Sequence, residues 1–303
     1  MNQRDVFSTQ TQSVMPDVLA TRTMPAAQTT HIMPDAPKMH IMPDVQSSLD
    51  TRNIAINRVG IRALRHPIRV IDANAGTNGT AQATVGTFSL SVALHAEAKG
   101  THMSRFVALL AAQTQAYSIA TLPAIMAQML NDLSAKAGTI TLSFPYFVEK
   151  TAPVSFIKSL LDYDITLQVD ADAAGKIGVR TTIVTGVTSL CPCSKEVSEY
   201  GAHNQRSHIT ITAESAESIG FTDIIAMAEN NASSQLYGLL KRVDEKFVTE
   251  HAYDNPKFVE DLVRDVALAL EHEPRVTAYR VECENFESIH NHTAFAVIEN
   301  TKR

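Results

Sequence analysis

The chain has 303 residues, a formal charge of −6 and 45% hydrophobic residues, enough for one large domain or two ordinary ones around a real core. The negative balance argues against broad nucleic-acid binding, which needs a positive surface, yet leaves room for a small anionic ligand held by a few local donors. No stretch nears the roughly 20 apolar residues that span a bilayer. The start, Met1-Asn2-Gln3-Arg4-Asp5, lacks the apolar region of a secretory signal, and three cysteines cannot all pair, so the expected location is the cytoplasm.

Residues 1–48 stand apart. They hold six of the ten methionines and repeat Met-Pro-Asp at 15–17, 33–35 and 42–44, with His-Ile-Met-Pro-Asp beginning at both His31 and His40. Each proline removes a donor and restricts its predecessor, so no helix propagates and a disordered leader is expected. From about residue 65 the pattern becomes regular. A strand is expected over His66–Ile71 and another over the strict alternation Thr87–Leu94. Two helices follow, one running to Ala112 with Thr101 or Ser104 as its cap, the other over Leu122–Leu133.

A second round starts with the alternating Asp162–Asp170, turns at Gly175 and continues as a strand over Ile177–Val187 into a cysteine-containing loop. Ser207–Thr212 resumes the strand pattern. Helices are expected over Asp223–Arg242, with a break near Asn230-Asn231, and over Pro256–Glu271, where the proline suits a first turn. Strands over Val276–Cys283 and His292–Ile298 close the chain. The order strand, strand, helix, helix, strand thus occurs twice, which predicts an α+β fold of two related halves, 49–155 and 156–303, with antiparallel sheet backed by helices.

The chemistry concentrates in Cys191-Pro192-Cys193-Ser194-Lys195-Glu196 and Gly201-Ala202-His203-Asn204-Gln205-Arg206-Ser207. Thiolate and neutral imidazole are the ligands that borderline divalent metals prefer, and thiolate is also the reactive form of cysteine. The plain alternative is a turn with two buried thiols and a surface histidine. Asp244-Glu245, Glu250 and Glu260 offer oxygen ligands, though any one of them taken singly reads first as a solvated helix-face charge. His290 and His292 flank Asn291 and suit proton transfer or a hydrogen-bonded loop. Cys283 reads as a small core hydrophobe. Arg206, Ser207, His208, Lys195 and Ser194 place donors near the cysteines, and Ser104-Arg105 form a second polar cluster.

With these residues assembled, the sequence resembles the prokaryotic GTP cyclohydrolases of type IB. The likeness rests on Ser189–Glu196 with Gly201–Ser207, and extends to Gly100-Thr101-His102-Met103-Ser104-Arg105-Phe106, Asn255–Asp261 and Ile54–Gly60, over roughly residues 42 to 300. The resemblance implies a tunnelling fold of tandem halves, antiparallel sheets with helices on one face. It also implies a homotetramer with active sites between subunits. By the same resemblance Cys191, His203 and Glu245 are the metal ligands, for manganese or zinc. Cys193 and His290 are proton-transfer or metal-neighbouring residues, and which cysteine binds metal in each state stays open.

Glu260 is then the guanine anchor, since one carboxylate accepts from the ring N–H and the exocyclic amine together. Arg206, Ser207, Lys195 and donors around Ser104 are candidates for the triphosphate. The implied reaction is water addition at C8 of GTP, ring opening, loss of formate and closure to 7,8-dihydroneopterin triphosphate, the entry to tetrahydrofolate-type pterins. Two other readings stay in view. One is a tunnelling-fold nitrile reductase with a nucleophilic cysteine and NADPH. The other is a non-enzymatic protein with a closed structural metal site.

Overall fold

The computed structural model describes residues 44–75 and 79–302. The leader with its Met-Pro-Asp repeats, up to residue 43, lies outside them. Residues 44–48, the end of that segment, run beside the 97–102 loop: Gly100 N–H donates to Gln46 O and Lys99 N–H to Ser48 O, both at 3.2 Å. Asp44 lies 3.3 Å from His102 Nε2.

Alternation builds the sheet. Strands β1 (Ile56–Val70), β2 (Gln82–Leu94), β3 (Gly138–Thr151) and β4 (Lys158–Ala171) are followed by β5 (Ile177–Leu190), β6 (Asn204–Ser215), the two-residue β7 (Ser234–Gln235), β8 (Val276–Asn285) and β9 (Ala294–Thr301). All pairs are antiparallel in the order β1-β2-β3-β4-β5-β6-β8-β9, with β7 on β5. Every second residue of β4, from Tyr163 to Ala171, is buried, and the same parity buries Ile209, Ile211 and Ala213 on β6. Helices α1 (Met103–Ala111), α2 (Leu122–Asp132), α4 (Phe221–Glu229), α5 (Arg242–Asp254) and α6 (Val259–His272) accompany it. α6 shows why: Val259, Leu262, Val263, Val266, Ala267 and Leu270 form one apolar stripe at helical spacing, and it is buried. Each of its valines and leucines contributes about 1.5–3 kcal/mol of burial.

The order β1β2-α1α2-β3β4 recurs as β5β6-α4-α6-β8β9, with the short α3 (Pro192–Val197), β7 and α5 inserted in the second round. The α+β, doubly antiparallel expectation therefore holds, within one continuous sheet. The turn at Gly175 also holds, with φ +84°.

Several local expectations do not. β1 begins ten residues before His66, because register shifts after Ile56 and Ile61 and the left-handed Ala63 (φ +57°) interrupt its alternation. β3 lies where no element is expected, although Ile140, Leu142 and Phe144 alternate inward. Pro145 is tolerated because its missing N–H falls on the β2 side beyond the last β2 pair, Thr87 with Ser143, where its carbonyl accepts from Thr84 Oγ1 at 3.0 Å instead. α1 is capped at His102 with no side-chain bond, not by Thr101 or Ser104. The helix expected over Asp223–Arg242 does break at Asn230-Asn231, ending at Glu229 where Asn231 Nδ2 donates to Met227 O at 2.8 Å, but it does not resume, and α5 begins only where that helix was to stop. Pro256 precedes α6, which starts at Val259 with Asp261 accepting from Phe258 N–H at 3.0 Å.

Register fixes what lies at each end of the sheet. The end of β5, the start of β6 and the end of β8 coincide through Leu190 with Asn204 and Ser207 with Asn285. The β3–β4 turn reaches the same end. Lys257 N–H donates to Leu190 O at 3.0 Å, which brings the α5–α6 connection there as well.

Candidate active site

Cys191 continues the β5–β6 ladder by one step, its N–H donating to His203 O at 3.1 Å. Residues opposed in this way put their side chains on one face of the sheet. The cysteine motif is not an irregular loop. Pro192–Val197 form the short helix α3, with proline at its first position and Cys191 as its cap, Sγ accepting from Ser194 N–H at 3.5 Å. Ser194 locks the junction: its hydroxyl donates to Cys191 O at 3.0 Å and accepts from His203 N–H at 3.1 Å. Gly201, at φ +121°, makes the return toward β6 that an L side chain would strain.

His203 Nδ1 lies 2.8 Å from Gln205 Oε1. From there a buried polar line runs inward: Gln205 Nε2 to Ser189 Oγ at 3.1 Å, Ser189 Oγ to Ser207 Oγ at 2.7 Å, and Ser207 to Asn285 Oδ1 at 2.7 Å. Ser189 and Ser207 are fully buried. Ser207, expected as a triphosphate contact, thus has its hydroxyl engaged twice inside the protein. Arg206 alternates to the opposite face and is exposed, and its carbonyl accepts from Phe286 N–H at 3.0 Å. Lys195 reaches α5, with Nζ donating to Tyr253 O at 2.5 Å and lying 4.3 Å from the Tyr253 ring centre.

Of the Asp244-Glu245 pair, Asp244 is structural. Burial raises its carboxyl, but bonds from the Ser155 hydroxyl and from the N–H groups of Ser155, Lys241 and Val154 outweigh that and hold it far below the usual carboxylate range. Glu245 is left exposed in the first turn of α5. Glu250 pairs on the surface with Lys246. Glu260 is exposed in the first turn of α6, three residues beyond Lys257 at the cysteine end of the sheet. His290 and His292 sit exposed between β8 and β9, their rings stacked 5.2 Å apart at 17°. Cys193 is exposed on α3 and Cys191 half-buried. Cys283 is buried, and burial with the nearby Glu282 charge pushes its thiol up to about 12, as its core reading expects.

The fold therefore brings Cys191, Cys193, Lys195, His203, Glu260 and the His290 turn to one end of the sheet. It does not bring Ser104. That residue starts α1, which follows the end of β2, and β2 ends beside Gly138, at the far end of β3 from the cysteine motif. On the order of 40 Å of strand lies between them.

Two donors fit a borderline divalent cation. The Cys191 thiol is one. The other is His203 Nε2, whose partner nitrogen faces an acceptor, as in most metal-binding histidines. Among the described residues, no three His, Cys, Asp or Glu side chains of one chain converge into a metal-binding group. Sequence reasoning overlooked Gln205, Ser189 and Asn285. Their signal was polar residues at strand positions whose parity places them in an apolar core.

Residues 42–296 match the family described as type I GTP cyclohydrolase folE2. The GTP cyclohydrolase FolE2 of Paraburkholderia phymatum is 57% identical over 260 residues, covering 86% of this chain and 95% of that protein. That of Burkholderia thailandensis is 58% identical over 259 residues, covering 86% and 94%. Among solved structures, uricase from Arthrobacter globiformis aligns with 80% of this chain and 93% of its own at 10% identity and a TM-score of 0.46, a likeness too slight to bear on function.

Proposed function

Because the chain belongs to the type I GTP cyclohydrolase folE2 family, we propose that it hydrolyses GTP at C8 to 7,8-dihydroneopterin triphosphate and formate, the first step toward tetrahydrofolate-type pterins. The observation that carries this reading to particular residues is the Cys191–His203 pair at the mouth of the β5–β6 hairpin, with His203 Nδ1 already engaged. In this reading Cys191 and His203 would hold a divalent cation, manganese or zinc, with Glu245 as the third ligand, one that the arrangement of the described residues does not bring to the pair. When bound, that cation supplies the Lewis acidity that makes water nucleophilic near neutral pH.

The rest falls to the chain. Glu260 holds the guanine edge, its two oxygens accepting from the ring N–H and the exocyclic amine and so presenting C8 to the hairpin mouth. The tie between Lys257 and Leu190 fixes the first turn of α6 against the strand that ends in Cys191. Cys193 and His290, both exposed at this end, carry protons to and from the opening imidazole ring. Lys195 faces the triphosphate, and Arg206, on the opposite face of its own sheet from His203, meets a triphosphate only at a site shared with a second copy. Lys195 keeps donors to spare beyond the one it gives Tyr253.

Ser104 joins the triphosphate site from a second copy, since its own chain holds it at the opposite end of the sheet. A homotetramer with sites between subunits meets that requirement. We place the enzyme in the cytoplasm, where its three free thiols stay reduced; no helix among the described residues is long and apolar enough to cross a membrane.

The test is metal-stripped protein given GTP with manganese or zinc added back, following formate and the fluorescent neopterin, with Cys191→Ala beside it. Metal-dependent product that disappears in the variant is expected. Turnover without metal, or a covalent thioimide formed from a deazaguanine nitrile, would replace the reading with a nucleophilic-cysteine enzyme.

A further inference from the structure

The buried line from His203 to Asn285 has a direction, and the direction determines which nitrogen of His203 is free. Asn285 Oδ1 can only accept, so Ser207 gives it the single hydroxyl proton, at 2.7 Å. With that proton committed, Ser207 Oγ must accept from Ser189, also at 2.7 Å. Ser189 has then given its own proton and accepts from Gln205 Nε2 at 3.1 Å. The Gln205 amide is thereby turned so that Oε1, which also only accepts, faces His203 Nδ1 at 2.8 Å. The proton of the neutral ring therefore sits on Nδ1, and the lone pair on Nε2.

Reversing the Asn285 amide would reverse every bond in the line. Gln205 would then present its N–H₂ to Nδ1 and move the ring proton to Nε2, leaving no lone pair for a ligand bond. Asn285 is 3% exposed and Gln205 7%, so bulk water does not stand in for either partner. All four inner members occupy positions whose strand neighbours of the same parity include Val187, Ile209, Ile211, Val281 and Cys283. An unlinked polar group there costs free energy, whereas a fully satisfied line specifies one arrangement.

We propose that Gln205 and Asn285 are positioning residues for the metal site: Gln205 fixes the ring and tautomer of His203 directly, and Asn285 does so through four hydrogen bonds without approaching the cation. The inference rests on His203 being a metal ligand. Outer-shell partners of this kind are worth about 10–100-fold in metal affinity.

The experiment is a Co²⁺ titration of the metal-stripped full-length protein, reading the thiolate-to-cobalt charge-transfer and d–d bands. Gln205→Met should weaken Co²⁺ binding about 10–100-fold and Asn285→Leu about tenfold. Asn285→Asp, an acceptor that imposes the same direction, should stay within about threefold of the parent protein. Melting curves of the metal-free forms run alongside. A purely structural role orders the two Asn285 variants the other way, since a buried carboxylate is harder on the fold than leucine.

Co²⁺ affinity unchanged in Gln205→Met and Asn285→Leu would overturn the proposal, as would Asn285→Asp binding no better than Asn285→Leu. If the parent protein shows no thiolate-to-cobalt band, or if Cys191→Ser and His203→Asn leave the band intact, the metal reading itself falls, and the proposal with it.

Discussion

Lys150 and Glu229 form a buried ion pair beneath the site, and separating them should be among the most damaging changes available. Lys150 Nζ lies 2.5 Å from Glu229 Oε2 and donates to Gln235 Oε1 at 2.8 Å, while Tyr163 donates to Glu229 Oε1 at 2.6 Å. The two charged side chains are only 11% and 6% exposed. The cluster ties β3 and β4 to α4 and β7, and β7 pairs with β5 three residues before Cys191. Lys150→Met leaves a carboxylate stranded and Glu229→Leu leaves an ammonium stranded, so each should cost about 3–5 kcal/mol. In the double variant no charge remains, and the loss falls to about 1–3 kcal/mol for the orphaned Tyr163 hydroxyl. Adding Tyr163→Phe should recover part of that. Urea unfolding of all variants at one protein concentration measures the cycle, since assembly and stability are linked. Single replacements that each cost under about 1 kcal/mol, or costs that simply add, would refute this reasoning.

Four further outcomes are expected. Under a thiol reagent Cys193 reacts first, Cys191 more slowly, and Cys283 only on unfolding; fast modification of all three in the native protein would contradict the burial of β8. Asp72, in the β1–β2 connection, accepts from Phe221 N–H at 2.8 Å and Thr222 N–H at 3.2 Å and so caps α4, whose own cap residue Gly220 has no side chain to do it. Asp72→Ala should lower stability by about 1–2 kcal/mol in urea midpoints, and an unchanged midpoint would remove it as the cap. The Arg275 guanidinium beside Glu273 lowers that carboxyl to about 2 from an ordinary 4.5. The stability it lends is therefore complete above about pH 5 and is lost as pH falls through 2; Glu273→Gln should flatten that part of the acid-unfolding curve, read by circular dichroism. Deleting residues 1–40 should leave turnover and assembly intact, because the family match begins at residue 42; a large loss of either would give the Met-Pro-Asp segment a role in the enzyme.

Strands of strict parity were legible in the sequence because alternation is a local signal: Asp162–Asp170 marks the middle of β4, and Thr87–Leu94 marks the end of β2. Where the backbone departs from parity the signal fails, as at the two register shifts of β1. Asn230-Asn231 did carry the break between α4 and α5, but the length of the interruption depends on β7 pairing with a strand some 47 residues upstream, as Thr188 meets Ser234 and Val187 meets Gln235. The site divides the same way. Cys191, Cys193 and His203 stand out by residue type, and Glu260 and His290 through family likeness. Asn285 and Ser207 meet only because two strands distant in sequence share a register, and no window of sequence displays that. Ser104 and Cys191 are likewise conspicuous singly, while their placement at opposite ends emerges only from the topology.

The alternation along Gln205, Arg206 and Ser207 has a consequence for how such an enzyme can change. Adjacent codons meet separate surroundings: the odd positions lie in the interior beside His203, and the even one is exposed. Under the proposed reading, the exposed Arg206 can drift while the buried line behind His203 stays intact, and an interior change can alter how His203 is held without altering the outer surface. A one-residue insertion between His203 and Ser207 would exchange the two roles at a stroke, so this stretch tolerates substitution on one side and no change of length.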